Sequence, residues 1–458
     1  MTLPSLKLIE SDLPIDPEPS DRPDVDTFSE LATAWRFVAA VGGRVKNCPA
    51  RGWLKYQDGY WQPGEREAIK IAGELGAIIR AEGYAATDDV DRIRSYYSAA
   101  RRAESARGVE ATLKLAKALP GVDASGIEWD SDDWLLNCAN GTVDVRTLTL
   151  RSHAPEDYLT RRIPFDYDPA ATCPIWLNHL GKVFADDPLM IRYVQFQFGY
   201  SATASMRHQT FVICHGEAGR GKSTTIEAGM YALGDYADAV SHDVVLDQHH
   251  AAHACTLAAL CGLRFGLVSE LPDGARWNEA QVKRLATGDT LSARLIGQNP
   301  FSFKSKMKLW VNCNERPEFR DTGGGMARRI RCIPFEVDLT GADRDRDIEE
   351  KLRGEAPGIL RWILEGARIA FEGEPDIPEA VRISSREYVR QNDVLANFLD
   401  ECCTVAVNNR AEVGATHDAF KAWGGDDLGK RKLGMLLMGK FEQDNDGKKR
   451  YWVGFSLR

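Results

Sequence analysis

The stretch "GEAGRGKST", Gly216 to Thr224, constrains this chain more than any other. It satisfies the spacing G-x-x-x-x-G-K-[ST], in which glycines let the backbone wrap a polyphosphate with its N–H groups turned inward. An apolar run, "QTFVICHG", precedes it, and a helix-forming run, "STTIEAGMYALG", follows. Strand, glycine-rich loop and helix in that order form the setting in which such a loop grips phosphate. Gly216, Glu217, Ala218, Gly219, Arg220, Gly221, Lys222, Ser223 and Thr224 are therefore the expected triphosphate-binding residues. Lys222 is expected to neutralise the β and γ phosphates, and Ser223 to ligate Mg²⁺ through its hydroxyl. No Asn/Thr-Lys-x-Asp guanine-reading sequence appears among the strands, which favours ATP.

The surroundings define the class. Short apolar runs, "TFVICHG", "LRFGLVSE", "KLWVNCN" and "RIRCIPF", alternate with helical stretches between about residues 173 and 375. Strands separated by helices predict an α/β core with a largely parallel, covered sheet. With 458 residues the chain should hold two or three domains. Residues 1–26 read as a disordered acidic tail, 27–172 as a mixed α/β domain, and 385–458 as a smaller C-terminal unit. Within 27–172, "GWLKYQDGYWQPGE" reads as a hairpin turned at Asp58-Gly59, and Glu65 to Leu119 as one long polar helical stretch. The segment "DWLLNCANGTVDVRTLTLRSHAPEDYLTRRIPFDYDP" then reads as short strands.

Neither a signal peptide nor an apolar run of membrane-spanning length is visible, so a cytoplasmic location is expected. The ten cysteines include no Cys-x-x-Cys and read as reduced, mostly buried thiols. The net charge of -9 requires that any nucleic-acid contact be confined to a local cationic groove or channel.

Hydrolysis needs a carboxylate that orients water and helps hold the metal. Glu270, at the end of "LRFGLVSE", suits that role, although Ser269 stands where many such ATPases carry a second acid. A plain strand-end acid is the alternative. Asn314, ending "KLWVNCN", is placed to hydrogen-bond the attacking water, or simply to start the bend before Pro317. The pair Arg328-Arg329, ahead of "IRCIPF", offers an arginine finger or else a surface cluster satisfying acidic neighbours.

In order along the chain, "GEAGRGKST", "LRFGLVSE", "VKRLATGDTLSAR", "KLWVNCNERP" and "RRIRCIPF" resemble the helicase core of superfamily 3, in the branch of phage and plasmid primase-helicases related to the poxvirus enzyme. The resemblance extends from about Trp53 to Arg458. It includes "LLNCANGTVDVRT" and "DYLTRRIPFDYDP" upstream and a winged-helix-like end downstream. It implies a P-loop ATPase core of AAA+ type, assembled as a homo-hexameric ring that hydrolyses ATP at subunit boundaries and moves 3′ to 5′ on single-stranded DNA. Lys222 and Ser223 match the family's phosphate loop, Glu270 its acid, Asn314 its sensor and Arg329 its finger, with Arg328 in reserve. Gly323-Gly324-Gly325 stand where the family often has bulkier residues, which leaves the finger open by one position. Only some fifty residues precede the shared region, too few for a primase-polymerase domain. A separate primase or polymerase, docking on the N-terminal region, is then a candidate partner that the sequence leaves open. An ATP-switched origin-binding initiator or loader, without processive unwinding, is the other reading.

The run "TLSARLIGQNPFSFKSKMKLW" alternates like a hairpin with Gly297 to Pro300 at its tip. Arg294, Lys304 and Lys306 are expected to grip single-stranded or forked DNA there, with Phe301 or Phe303 stacking on bases and Lys283 and Arg284 in support. Solvated edge-strand lysines are the alternative. In the C-terminal unit, "THDAFKAWGG", "GKRKLGMLLMGKF" and a strand pair turned at Asp446-Gly447 form a winged-helix pattern, suited to DNA or to a protein partner. His249, His250 and His253 have helical spacing without a following acid, and read as a polar helix face rather than a metal site.

Overall fold

Local capping chemistry sets the first helix, α1 (Glu30–Val41). The Ser29 hydroxyl accepts from the Ala32 N–H at its start, and Gly42 ends it in the left-handed region at φ 51°. In the computed structural model the described residues are 25–247, 254–272, 274–294, 300–319, 324–339, 345–424 and 429–458. They fall into two units. One comprises the residues up to Tyr167 together with Ser292–Phe303, and the other Asp168–Leu291 with Lys304–Arg458. The expected acidic tail lies almost wholly outside the described residues, as do His249, His250, His253 and the hairpin tip at Gly297, Gln298 and Asn299.

In the first unit, β1 (Val45–Cys48), β2 (Gly52–Gln57) and β3 (Tyr60–Pro63) form an antiparallel sheet in that order. Asp58 and Gly59, at φ 54° and 85°, make the tight turn between β2 and β3. The single helical stretch expected over 65–119 is three helices: α2 (Glu65–Ala86), α3 (Val90–Ala103) and α4 (Ala106–Ala116). The breaks have a chemical cause. The Asp89 carboxylate accepts from Asp91 N–H and the Ser105 hydroxyl from Gly108 N–H, so each restarts a helix. Phe37, Val38, Trp53, Ala68, Ala72 and Leu75 fill the core beneath α1, α2 and β2.

A second antiparallel sheet follows: β4 (Leu135–Cys138), β5 (Gly141–Asp144) and β6 (Thr149–Arg151). The expected strand in "RRIPF" is absent. That segment is held instead by Asn137, whose side-chain amide donates to Gly59 O at 3.2 Å and to Arg161 O at 3.3 Å, while its carbonyl accepts from Ile163 N.

The second unit opens with α5 (Pro174–Val183) and α6 (Pro188–Ala202). The Glu355 carboxylate caps α5, accepting from Ile175 N and Trp176 N at 3.0 and 2.9 Å. Next come β7 (Phe211–His215), α7 (Lys222–Leu233), β8 (Ala237–Ala239), α8 (Ala254–Ala258) and β9 (Phe265–Val268). After them along the chain stand α9 (Glu279–Thr287), β10 (Thr290–Ala293) and β11 (Phe301–Lys304), of which the part within Ser292–Phe303 belongs to the first unit, and then β12 (Lys308–Cys313) and β13 (Ile330–Pro334).

The five strands β13-β7-β12-β9-β8, in that order, form one parallel sheet. Numbered along the chain, its order is fifth, first, fourth, third, second. The strands β7, β9 and β12 are buried almost throughout, which is why they read as continuous apolar runs rather than alternating ones. Aromatic packing secures the central layer, with Trp310 centred 4.7 Å from Phe198 and 4.9 Å from Phe265. Truncating one such ring to alanine typically costs about 3–5 kcal/mol.

At the N-terminal edge of the sheet two cations are buried, Arg264 and Lys308. Their charge is offset by the last carbonyls of α6, with Ala202 O at 2.9 Å and Thr203 O at 2.5 Å, and by the faces of Tyr236 and Tyr200.

The chain continues through α10 (Ile348–Gly354), α11 (Ala356–Glu372) and α12 (Glu379–Gln391). Ser385 lies inside α12, where its hydroxyl accepts from Cys332 N of β13 at 2.9 Å. The small C-terminal assembly therefore starts after α12, several residues later than the composition shift indicates. It runs α13 (Val394–Cys402), β14 (Cys403–Glu412), α14 (Val413–Ala422), α15 (Lys430–Met438), β15 (Glu442–Asn445) and β16 (Arg450–Leu457), with antiparallel order β14-β16-β15. Leu395, Phe398, Phe420, Leu433, Trp452 and Phe455 form its core. Strand β14 was not expected from the sequence. Among the described residues no helix is long and apolar enough to cross a membrane.

Candidate functional site

Parallel pairing brings the C-terminal ends of β7, β9, β12 and β13 to one edge, where loops from different strands converge. The loop 216–221 leaves β7 there and enters α7 directly. Gly216 passes so close to Phe335 that a Cβ would sit 2.2 Å from its carbonyl oxygen. Gly221, at φ 80°, is the N-cap of α7 and offers no side-chain hydrogen bond to the first turn. The first N–H groups of α7 are thus left for an external acceptor, and the helix dipole favours an anion.

Lys222 is buried, at 7% relative exposure. Its ammonium donates to Gly216 O at 2.6 Å, Glu217 O at 2.7 Å and the Asn314 side-chain oxygen at 3.1 Å. Three N–H donors meet three acceptors, and burial holds the lysine below its ordinary pKa. Arg220 fastens the loop from outside, donating to Glu336 O and pairing with the Glu217 carboxylate at 2.6 Å.

Two asparagines of one strand serve this loop. Asn314 meets Lys222, while Asn312 donates to the Ser223 hydroxyl at 3.0 Å. The sequence reading missed Asn312, yet a signal was present: in "VNCN" the period of two puts both amides on one face. Ser223, Asn312, Asn314 and Glu270 line a cavity of about 1330 Å³ together with the loop. Glu270 is exposed and follows β9 by two residues, with its backbone in the left-handed region at φ 56°. A non-glycine residue held there carries a strain of roughly 1–2 kcal/mol, a feature that clusters at functional sites.

The cavity is also lined by Ile175, Asn178, His179 and Lys182 of α5 and by Leu339, Arg346 and Ile348 after β13. His179 was not anticipated, and nothing in "PIWLNHLGKV" marks it. Its Nε2 lies 2.9 Å from the Thr225 hydroxyl, which itself donates to Gly221 O at 2.7 Å. With that hydroxyl proton committed to Gly221 O, Nε2 is the donor and carries a ring proton. Burial, reinforced by Lys182, pushes its pKa down to about 4. His179 thus braces the first turn of α7 without titrating near neutrality.

Below the loop, burial pushes the Cys313 and Cys332 thiols up to about 12, which leaves no thiolate for chemistry here. The chemistry of the donor set fits Mg²⁺: one hydroxyl and one carboxylate, both hard oxygen ligands, open onto the cavity where the phosphates of a nucleotide would lie.

The two arginines separate. Arg329 is buried at 5% exposure, donating to Gly325 O at 2.5 Å, at the start of β13 and so at the edge opposite the loop. Arg328 is exposed. A guanidinium that reaches into a neighbouring molecule must stand on the surface, so the first-choice finger, Arg329, is poorly placed and the reserve is well placed.

The two-stranded sheet β10-β11 forms as expected. Arg294 and Lys304 are exposed, Lys306 is half-buried, and Lys283 lies 3.8 Å from Glu279 on α9. Arg284 donates to Thr290 O at 2.8 Å, which braces the entry to β10. Phe301 and Phe303 are half-buried on one face, with Ser302 and Lys304 exposed on the other.

A family model described as D5 N terminal like matches residues 34–185, and one described as a family of unknown function (DUF5906) matches residues 214–329. Among curated proteins the chain is 28% identical over 253 residues to "Putative helicase 184R" of Invertebrate iridescent virus 6. That match takes in 53% of this chain and 26% of the relative. It is 25% identical over 296 residues to "Putative helicase L207/L206" of Acanthamoeba polyphaga mimivirus, covering 59% of this chain and 31% of that protein. The chain therefore spans about a quarter to a third of the length of these relatives. Among solved structures the apo NrS-1 C terminal region (305-718) aligns with a TM-score of 0.40 and 13% identity, over 62% of this chain and 77% of that one.

Proposed function

We propose that this chain is the ATP-hydrolysing and DNA-translocating part of a replicative DNA helicase of a virus, phage, plasmid or integrated element, of superfamily 3 and built on an AAA+ type P-loop core. One observation carries the reading: Lys222, opening the helix after β7, and Asn314, just past the end of the adjacent β12, meet at an uncapped helix N-terminus beside a parallel sheet ordered fifth-first-fourth-third-second. The names of the viral relatives support the helicase assignment.

In this account an entering ATP draws Lys222 from the loop carbonyls onto its β and γ phosphates, while the N–H groups at the start of α7 take the remaining phosphate oxygens. Ser223 and Glu270 would hold Mg²⁺, which would supply positive charge against that developing on the transferred phosphoryl group. Glu270 also orients the attacking water, and Asn314 senses the γ phosphate by exchanging Lys222 for it. Arg328, exposed, completes the site of the neighbouring subunit in a ring, a hexamer by resemblance. Arg294, Lys304, Lys306 and Lys283 carry the strand through the channel in the 3′ to 5′ direction.

The helix–strand–helix–helix–strand–strand order of residues 394–457 supports a winged helix. Its exposed Lys430, Arg431, Lys432, Lys448, Lys449 and Arg450 favour, as a second reading, an ATP-switched origin-binding initiator. Strand displacement on a duplex with a 3′ single-stranded tail tests the proposal. ATP-dependent displacement, lost on a 5′-tailed duplex, is expected. Rings that bind an origin duplex and never displace a strand would favour the initiator instead.

A further inference from the structure

We propose that α3 of the N-terminal unit presents a second nucleic-acid contact, a single-strand platform made of the Tyr84–Tyr97 pair and the arginines beside it. Gly76 faces Glu104 and Gly83 faces Tyr96, so α2 and α3 run antiparallel, and Ile79, Tyr96, Ala99, Ala100 and Ala103 seal the seam between them. The helical period then turns Arg94, Tyr97, Ser98 and Arg101 outward on one stripe, and all four are exposed.

The charge on this stripe is unusual for the chain. Across Val90–Ala103 there are four arginines and a single carboxylate, Asp91, in a protein whose net charge is -9. That carboxylate pairs with Arg94 at 2.9 Å, but both side chains are more than three-quarters exposed, so the pair holds little energy and yields readily to another anion. Arg92 and Arg101 have no ion pair among the described residues. Along the helix Arg94 and Arg101 stand roughly 10 Å apart, with Tyr97 between them.

The aromatic component is independent of the charge. Tyr84, at the end of α2, is 63% exposed and Tyr97 38% exposed. Their rings meet edge to face with centroids 6.0 Å apart, and their hydroxyls bond to each other rather than into the core. Two surface phenol rings add nothing to the packing beneath them. They fit bases splayed from a flexible strand, with arginines on the phosphates either side. A duplex keeps its bases stacked inside and has no use for the rings, which selects the single strand as occupant.

The reading stands without nucleotide hydrolysis and is tested without it. Full-length protein, free of ATP, is titrated with fluorescein-labelled oligo(dT), oligo(rU) and a duplex of the same length at several salt concentrations. Arg92→Ser/Arg94→Ser/Arg101→Ser should weaken oligo(dT) binding at least tenfold and lower the slope of log K against log salt by about 2. Tyr84→Ala/Tyr97→Ala should weaken it by roughly fivefold or more with the slope unchanged. Bromodeoxyuridine oligomers should cross-link to the wild-type peptide that contains Tyr97. Equal losses on oligo(rU) would support a platform that reads base and phosphate but not sugar. Unchanged affinity and slope in both variants would overturn the proposal, and so would losses confined to the duplex. Cross-links found only outside residues 84–107, or a loss of self-association without a loss of oligomer affinity, would do the same.

Discussion

The ammonium of Lys222 lies 3.1 Å from the side-chain oxygen of Asn314, so the loop after β7 and the end of β12 share one hydrogen bond across the mouth of the cavity. Two residues earlier, on the same face and within β12, Asn312 holds Ser223. Lys222 and Ser223 are therefore both held from the end of β12, and a movement of that strand's end reaches both at once.

Asn314→Ala should leave nucleotide affinity within about threefold while lowering turnover on the order of a hundredfold, because the water-positioning amide is lost but the grip is kept. Asn312→Ala acts differently. It frees the Ser223 hydroxyl to rotate, so the Mg²⁺ concentration for half-maximal turnover should rise roughly tenfold or more. Steady-state ATPase assays at varied Mg²⁺ separate the two, and identical profiles for both variants would count against these roles.

Arg328→Ala should fold within about 0.5 kcal/mol of wild type, since its side chain is exposed, yet lose about a thousandfold or more in hydrolysis under the proposed role across a subunit boundary. Arg329→Ala should lose about 2–3 kcal/mol of stability, because its buried guanidinium anchors the Gly325 carbonyl. Denaturation curves and mixing experiments decide: Arg328→Ala and Lys222→Ala subunits should partly rescue each other in mixed rings. Demonstrated mixed rings with no rescue would remove the shared site.

His179 gives the fold a pH dependence of known sign. Its folded pKa of about 4 lies below the ordinary 6.5, so the unfolded chain binds the extra proton first as pH falls. The stability is fully present above the ordinary value and is lost progressively toward the folded one. The loss between pH 7 and pH 5 should be about 2 kcal/mol. Guanidinium midpoints measured across that window should fall for wild type and stay nearly flat for His179→Gln. A wild-type midpoint that does not move would contradict the buried, neutral imidazole.

At the hairpin, Lys304→Ala should weaken single-strand binding and reduce the salt slope by about 0.7, the signature of one lost phosphate contact. Replacing Lys283, already close to Glu279, should do less. Equal effects from the two would mean that the strand does not pass the exposed face of β11.

The sheet was legible because a strand buried on both faces must be a largely apolar run, as β7, β9 and β12 are. The strand–loop–helix order around Gly216 to Gly221 was legible from the glycine spacing between an apolar run and a helix-forming one. What escaped was whatever depends on contacts distant in sequence. His179 reaches Thr225 from 46 residues away. Burial of Arg329 rather than Arg328 follows from how the segment enters β13, which two adjacent identical residues do not record. The breaks at Asp89 and Ser105 were readable in principle as N-caps, but polar periodicity across them concealed both. Strand β14 escaped because its outer residues are exposed, including Val405 and Val407, so no burial pattern marks it.

The central claim is that Lys222 leaves Gly216, Glu217 and Asn314 to take a triphosphate. ATP hydrolysis with single-stranded DNA present, compared between wild type and Lys222→Ala of unchanged thermal stability, tests it most directly. The account predicts DNA-stimulated turnover in wild type and a loss of at least a hundredfold in the variant. Undiminished turnover by folded Lys222→Ala protein would contradict it.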